Sequence, residues 1–138
     1  MNRKKLILLL ALGLVSCIVN AQDLRSSSNS FVGKIESDGT VRNSSNSSIG
    51  KIERDGTIRN SSNACIGKID SDGTIRNGSN SSIGKVESDG TVRKNGSSVG
   101  KIDKDGTVRN SSNATIGYAK GVSVQHAAVY FFFDFFKK

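Results

Sequence analysis

A unit of about 17 residues recurs from residue 31 onward and constrains this chain more than any other feature. It reads Ile/Val-Gly-Lys-Ile/Val-Glu/Asp-x-Asp-Gly-Thr-Ile/Val-Arg, followed by a Ser/Asn stretch. Its Gly-Lys pair starts at Gly33, Gly50, Gly67, Gly84 and Gly100, and a degenerate start follows at Gly117, where Tyr118 replaces Lys. The steps between starts are 17, 17, 17, 16 and 17 residues.

Asp-Gly between short β-branched segments signals a hairpin. With Glu36 facing Thr40, Ser37-Asp38-Gly39 becomes a three-residue loop, and Ile35 lies opposite Val41 as a cross-strand aliphatic pair. The Ser/Asn stretches read as a second turn. In the short repeat Asn95-Gly96 is a two-residue turn, which sets Val92 opposite Val99; in the longer ones Ser44-Ser45-Asn46 is the turn, and Val41 faces Ile49. Asn46 takes the left-handed slot, which Asn tolerates well. Ile49 and Ile52 are three apart, so plain alternation separates them; a bulge at Gly50 would return both to one face. Each repeat then aims three aliphatics inward, such as Ile49, Ile52 and Ile58.

The expected fold is therefore all-β: five tandem hairpin repeats in a continuous meander, closed into a ring because closure removes exposed edges. An open β-solenoid with capped ends is the alternative. Five Gly-Lys-Ile-Glu-x-Asp-Gly-Thr-Val-Arg units, then Gly-Tyr-Ala-Lys-Gly-Val and an Ala-Ala-Val-Tyr-Phe-Phe-Phe tail, resemble the secreted bacterial five-fold β-flower proteins over about residues 31–136. That resemblance implies petals around a central axis and carries over no activity and no functional residue.

The flanks differ in kind. Arg3, Lys4 and Lys5, the apolar stretch Leu6 to Val15, and Val19-Asn20-Ala21 read as an export signal. Leu14-Val15-Ser16-Cys17 also resembles a lipobox, with lipidation at Cys17 as the rival to cleavage after Ala21. The expected divisions are a signal peptide at 1–21, a flexible segment at 22–30, the repeat domain at 31–121 and an aromatic segment at 122–138. Five of the six phenylalanines fall in that last segment. Ser123 can cap a short helix running through Gln125 to Phe133, though the aromatic run also suits a strand. The segment is too short to span a bilayer and contains Asp134. It is expected to plug or cover one end of the ring; an exposed aromatic contact patch is the other reading.

Charge excludes more than it suggests. Removal of residues 1–21 takes the formal balance from +8 to +5, and within each repeat one Lys and one Arg offset two acids. That is not the contiguous basic stripe of a nucleic-acid binder, and no aromatics interleave for base stacking. The recurring Lys34/Arg42, Lys51/Arg59, Lys68/Arg76, Lys85/Arg93 and Lys101/Arg109 pairs are the candidate binding residues, a circle of cations for a multivalent acidic ligand. A solvated face neutralised by Glu36-type acids is the bland reading.

Asp70-x-Asp72-Gly73 and Asp103-x-Asp105-Gly106 look like calcium-loop starts, but Thr, Ile/Val and Arg follow where a late bidentate acid is needed, so no metal is expected. His126 is the sole histidine and has no nucleophile or acid partner in a recognisable spacing. No catalytic residue and no cofactor is expected. Cys65 occupies a place where other repeats carry Ser and reads as a small-residue substitution. Asn-x-Ser/Thr triplets such as Asn60-Ser61-Ser62 read as turn chemistry. The expected role is a non-enzymatic exported module, periplasmic, cell-surface or secreted. Its expected partner is an acidic polysaccharide or another envelope protein. A small hydrolase with an unrecognised site is the alternative.

Overall fold

The computed structural model describes residues 22–136, so the expected signal peptide at 1–21, the choice between cleavage after Ala21 and lipidation at Cys17, and Lys137 and Lys138 lie outside the described residues. Twelve strands and one helix follow in order: β1 (Asp23–Ser26), β2 (Phe31–Ile35), β3 (Thr40–Asn43), β4 (Ser48–Ile52), β5 (Thr57–Asn60), β6 (Cys65–Ile69), β7 (Thr74–Asn77), β8 (Ser82–Val86), β9 (Thr91–Lys94), β10 (Ser97–Ile102), β11 (Thr107–Asn110), β12 (Thr115–Tyr118) and α1 (Val124–Phe132). Every strand pairs antiparallel with its neighbours in sequence, and β1 also pairs with β12, which closes the barrel.

Local chemistry sets this meander. In the Asp-Gly turns Glu36 N–H donates to the Thr40 carbonyl and Gly39 N–H to the Glu36 carbonyl, with Gly39 at φ +95°. The Asp38 carboxylate accepts from the Thr40 amide at 2.9 Å and stiffens the loop. At the other end Asn43 Oδ1 accepts from both Ser45 and Ser47 amides, while Asn46 sits at φ +67°. The short repeat replaces this loop with Asn95 at φ +51° and Gly96 at φ +87°, a tight turn pairing Lys94 with Ser97. Ile35 lies opposite Val41 as the turn predicts.

The second register differs from expectation by one residue. Val41 faces Gly50, not Ile49, and Val92 faces Gly100, not Val99. The bulge is present, with Ile49 as its extra residue. Gly50 and Ile52 then share the inward face, and Ile49 stays only half-buried against the core. Two aliphatics per unit, such as Ile52 and Ile58, are fully inside, rather than three.

The segment 22–30, expected to be flexible, contains β1. Leu24 is fully buried and pairs through Arg25 with Tyr118, so β12 and β1 form a sixth hairpin-like unit whose two strands come from opposite ends of the chain. The physical reason is edge satisfaction: without β1, the backbone groups of β2 and β12 would face water. Five contiguous hairpins and this composite unit complete the ring.

A 12-strand barrel is too wide for aliphatic side chains alone to fill, and the tail occupies the space. Ala127, Ala128 and Val129 are all fully buried, although successive helix residues point about 100° apart, so α1 is enclosed on all sides. Ser123 caps it by accepting from the His126 amide. Beyond the helix core, six aromatic rings each meet one strand glycine: Tyr130 with Gly33, Phe131 with Gly117, Phe132 with Gly100, Phe133 with Gly84, Phe135 with Gly67 and Phe136 with Gly50. Successive aromatics visit successive units around the ring. A side chain at Gly50, Gly67, Gly84, Gly100 or Gly117 would collide with both the ring and the neighbouring strand's carbonyl, and one at Gly33 would collide with the Arg42 carbonyl and crowd the Tyr130 hydroxyl. Lys94 stands where the regular repeats carry Asn; its ammonium donates to the Phe132 carbonyl at 3.0 Å and lies 5.5 Å from the Phe133 ring centre. It thus satisfies the helix end that the tail would otherwise leave open.

Candidate functional site

Alternation along each strand places the Lys/Arg pairs on the outer wall, because the intervening glycines and aliphatics point in. Lys34 pairs with Arg42, Lys51 with Arg59, Lys68 with Arg76, Lys85 with Arg93 and Lys101 with Arg109, directly across each hairpin. Each arginine is held at two points. Its Nε meets the acid of its own hairpin: Arg42 with Glu36 at 3.2 Å, Arg59 with Glu53 at 3.3 Å, Arg76 with Asp70 at 2.7 Å, Arg93 with Glu87 at 3.1 Å and Arg109 with Asp103 at 2.9 Å. Its Nη1 donates to a carbonyl of the following turn, as Arg59 does to Asn63 at 3.1 Å and Arg93 to Gly96 at 3.4 Å. The arginines therefore brace the barrel wall.

The lysines are different. Lys34 comes within 4.0 Å of Glu36, whereas Lys51, Lys68, Lys85 and Lys101 form no direct ion pair among the described residues. They stand between their arginine and the threonine of the preceding hairpin, as Lys51 does between Arg59 and Thr40. The pKa values of the turn acids Asp38, Asp55, Asp72, Asp89 and Asp105 are lowered from the ordinary 3.8, chiefly because the amide and hydroxyl of the threonine two residues on bond to each carboxylate. Their chemistry belongs to the turn.

The composite unit breaks the pattern. Tyr118 stands in the lysine position, Asp23 in the threonine position, and Lys120 where the other hairpins carry Glu or Asp. Arg25 keeps the arginine role, donating to the Asn29 carbonyl at 3.0 Å and pairing with Asp23 at 3.4 Å. The chain does not turn back here: Gly121 adopts φ +81°, and residues 119–123 lead to the capped helix. A groove of about 460 Å³ opens between Asp23, Arg25, Asn29, Asp105, Thr107, Tyr118 and Lys120. In a regular unit the corresponding positions line two separate depressions, one of about 250 Å³ around Thr74, Lys85, Arg93 and Asn95 and one of about 400 Å³ around Asp72, Lys85, Glu87 and Asp89. Sequence reasoning missed this groove, although Leu24-Arg25-Ser26-Ser27-Ser28-Asn29 lies 17 residues before Val41-Arg42-Asn43-Ser44-Ser45-Asn46.

His126 lies at the Asp-Gly end of the barrel, in a depression of about 260 Å³ with Ser37, Asp38, Glu53 and Arg54. Burial pushes its imidazole pKa below the ordinary 6.5. No hydrogen bond joins it to Ser37 or Asp38 among the described residues, and Asp38 is already engaged by Thr40. Cys65 is an exposed free thiol beside Arg59 on the outer wall.

A family model described as 5-fold beta-flower protein matches residues 21–136. No curated protein and no solved structure matches the chain. The match spans the whole barrel and its aromatic tail, from the strand that closes the ring to the last phenylalanine, and the chain belongs to the 5-fold beta-flower protein family.

Proposed function

We propose that the chain is a non-enzymatic exported binding module that holds an acidic glycan against its outer wall. The observation that carries this reading is the recurrence of Lys51, Lys68, Lys85 and Lys101, four ammonium groups without direct ion pairs among the described residues, each beside an arginine whose charge is already tied into the wall. A polymer with regularly spaced carboxylates meets these groups one unit at a time. Each contact is worth little in high dielectric, but linkage makes later contacts intramolecular and multiplies the affinity. The braced arginines keep the spacing fixed, which limits the entropy lost on binding.

Immobilised polygalacturonate and neutral dextran, probed with wild-type protein across a salt series, test this. Binding to the polyuronate alone, weakening with salt, is expected. The Lys51→Gln, Lys68→Gln, Lys85→Gln, Lys101→Gln variant should bind at least about tenfold more weakly, since four contacts of a few tenths of a kcal/mol each are lost. Equal binding by wild type and variant overturns the reading, as does turnover of an ester substrate that disappears in Ser37→Ala or His126→Ala.

A further inference from the structure

We propose that the groove at the composite unit is a saccharide subsite. Among the units of the ring this one alone presents an aromatic side chain in the outward lysine position, and the substitutions around it are chemically coordinated. Lys120 replaces an acid, and Asp23 replaces a threonine, so Arg25 still has a carboxylate partner although its usual one is gone. The hairpin loop of a regular unit, Glu87-Ser88-Asp89-Gly90, has no counterpart here because the chain turns inward to α1. The result is one continuous groove from Asn29 to Asp105 and Lys120, where the corresponding positions of a regular unit are divided between two separate depressions.

The lining suits a pyranose. Tyr118 is half-buried, and its hydroxyl makes no hydrogen bond among the described residues. Its ring offers an apolar surface for the flat face of axial C–H bonds on a gluco-configured sugar. Sugar hydroxyls both donate and accept, and the groove supplies both complements: carboxylates on Asp23 and Asp105, a pinned guanidinium on Arg25 and an ammonium on Lys120. Asp105 Oδ1 accepts from the Thr107 amide at 3.0 Å, which fixes the carboxylate at the edge of the groove. Arg25 is fixed in the same way by the Asn29 carbonyl. Phe31, 37% exposed, faces Arg25 from β2 and extends the apolar surface beyond it. A few convergent polar groups around an apolar platform are what small-ligand sites require. This subsite does not depend on the lysines of the other units, so it stands or falls separately from the polyuronate reading.

Amide-resolved NMR of the wild-type protein titrated with cellobiose, and separately with glucuronic acid, tests the proposal. Saturable shifts at Asp23, Asp105, Tyr118 and Lys120 with a Kd in the range of about 1–10 mM are expected for one sugar ring on one platform. Tyr118→Lys restores the residue of the regular units and should keep the melting temperature while weakening binding at least about tenfold. Asp105→Asn, which keeps the acceptor for Thr107, should also weaken it and serves if the first variant folds poorly. No saturable shift with either sugar overturns the proposal. So do shifts confined to the Ser/Asn turns, or shifts that persist unchanged in both variants.

Discussion

Truncating Phe133 to alanine should cost about 4–5 kcal/mol. Phe133 is 2% exposed and meets Gly84 on the barrel wall. Its transfer from water contributes about 1.5–3 kcal/mol. A void of roughly 100 Å³ left by the ring adds about 2 kcal/mol at 24 cal/mol per Å³ if the site does not collapse. Collapse is hindered here because the facing residue is glycine, and its backbone is locked in the ladder between Ile75 and Lys94. A small domain has only about 5–15 kcal/mol in all, so the melting temperature should fall by roughly 12–25 °C at about 3–5 °C per kcal/mol for this size. Thermal unfolding followed by far-ultraviolet circular dichroism reads this without a tryptophan, which the chain lacks. Phe31→Ala is the internal comparison, since Phe31 sits on the outer wall and should shift the midpoint by only about 2–3 °C, the effect expected of a surface change. Similar small shifts for both variants would refute the enclosed tail.

Lys94→Met keeps the aliphatic stem but removes the bond to the Phe132 carbonyl, and should cost about 1.5–2 kcal/mol in urea unfolding; Lys101→Met on the outer wall should cost close to nothing. Acid titration of stability should show two losses. His126, whose pKa burial lowers, contributes stability that is complete above pH 6.5 and is lost as pH falls through its folded value, and His126→Gln should remove that step. The five turn aspartates, lowered by their threonine bonds, contribute stability present above the usual carboxylate value of 3.8 and lost as pH falls through their folded values. Peptide mapping after storage at pH 8 should find deamidation at Asn95-Gly96, where no hydrogen bond holds the exposed Asn95 side chain, before Asn77-Gly78. Asn77 Oδ1 is held by the Ser79 and Ser81 amides.

Features carried by a few adjacent residues were legible in the sequence. Asp38-Gly39 and Asn95-Gly96 fix turn geometry within four residues, so the Ile35–Val41 pairing and the outward Lys34/Arg42 pair follow from alternation. Ser123 likewise announced the helix. The bulge was placed one residue off because hydrophobicity favours an inward Ile49, while the inward place is set by a ring 87 residues away, Phe136 over Gly50. β1 was missed for a similar reason. Leu24-Arg25 carries half of a unit, and the matching Gly117-Tyr118 half lies at the other end of the repeat array, so local reading sees a lead-in. The groove inherits that blindness, since it exists only once the two ends meet. Lys94 carries no local signal of its role, because its partner is the tail backbone.

The most direct test of the closed, tail-filled ring is a three-dimensional NOESY spectrum of the protein with aromatic and glycine assignments. The account predicts contacts from Gly33, Gly117, Gly100, Gly84, Gly67 and Gly50 to Tyr130, Phe131, Phe132, Phe133, Phe135 and Phe136 in that order, together with a cross-strand contact between Arg25 and Tyr118. Glycines without aromatic contacts, or an Arg25 without a contact to Tyr118, would contradict it.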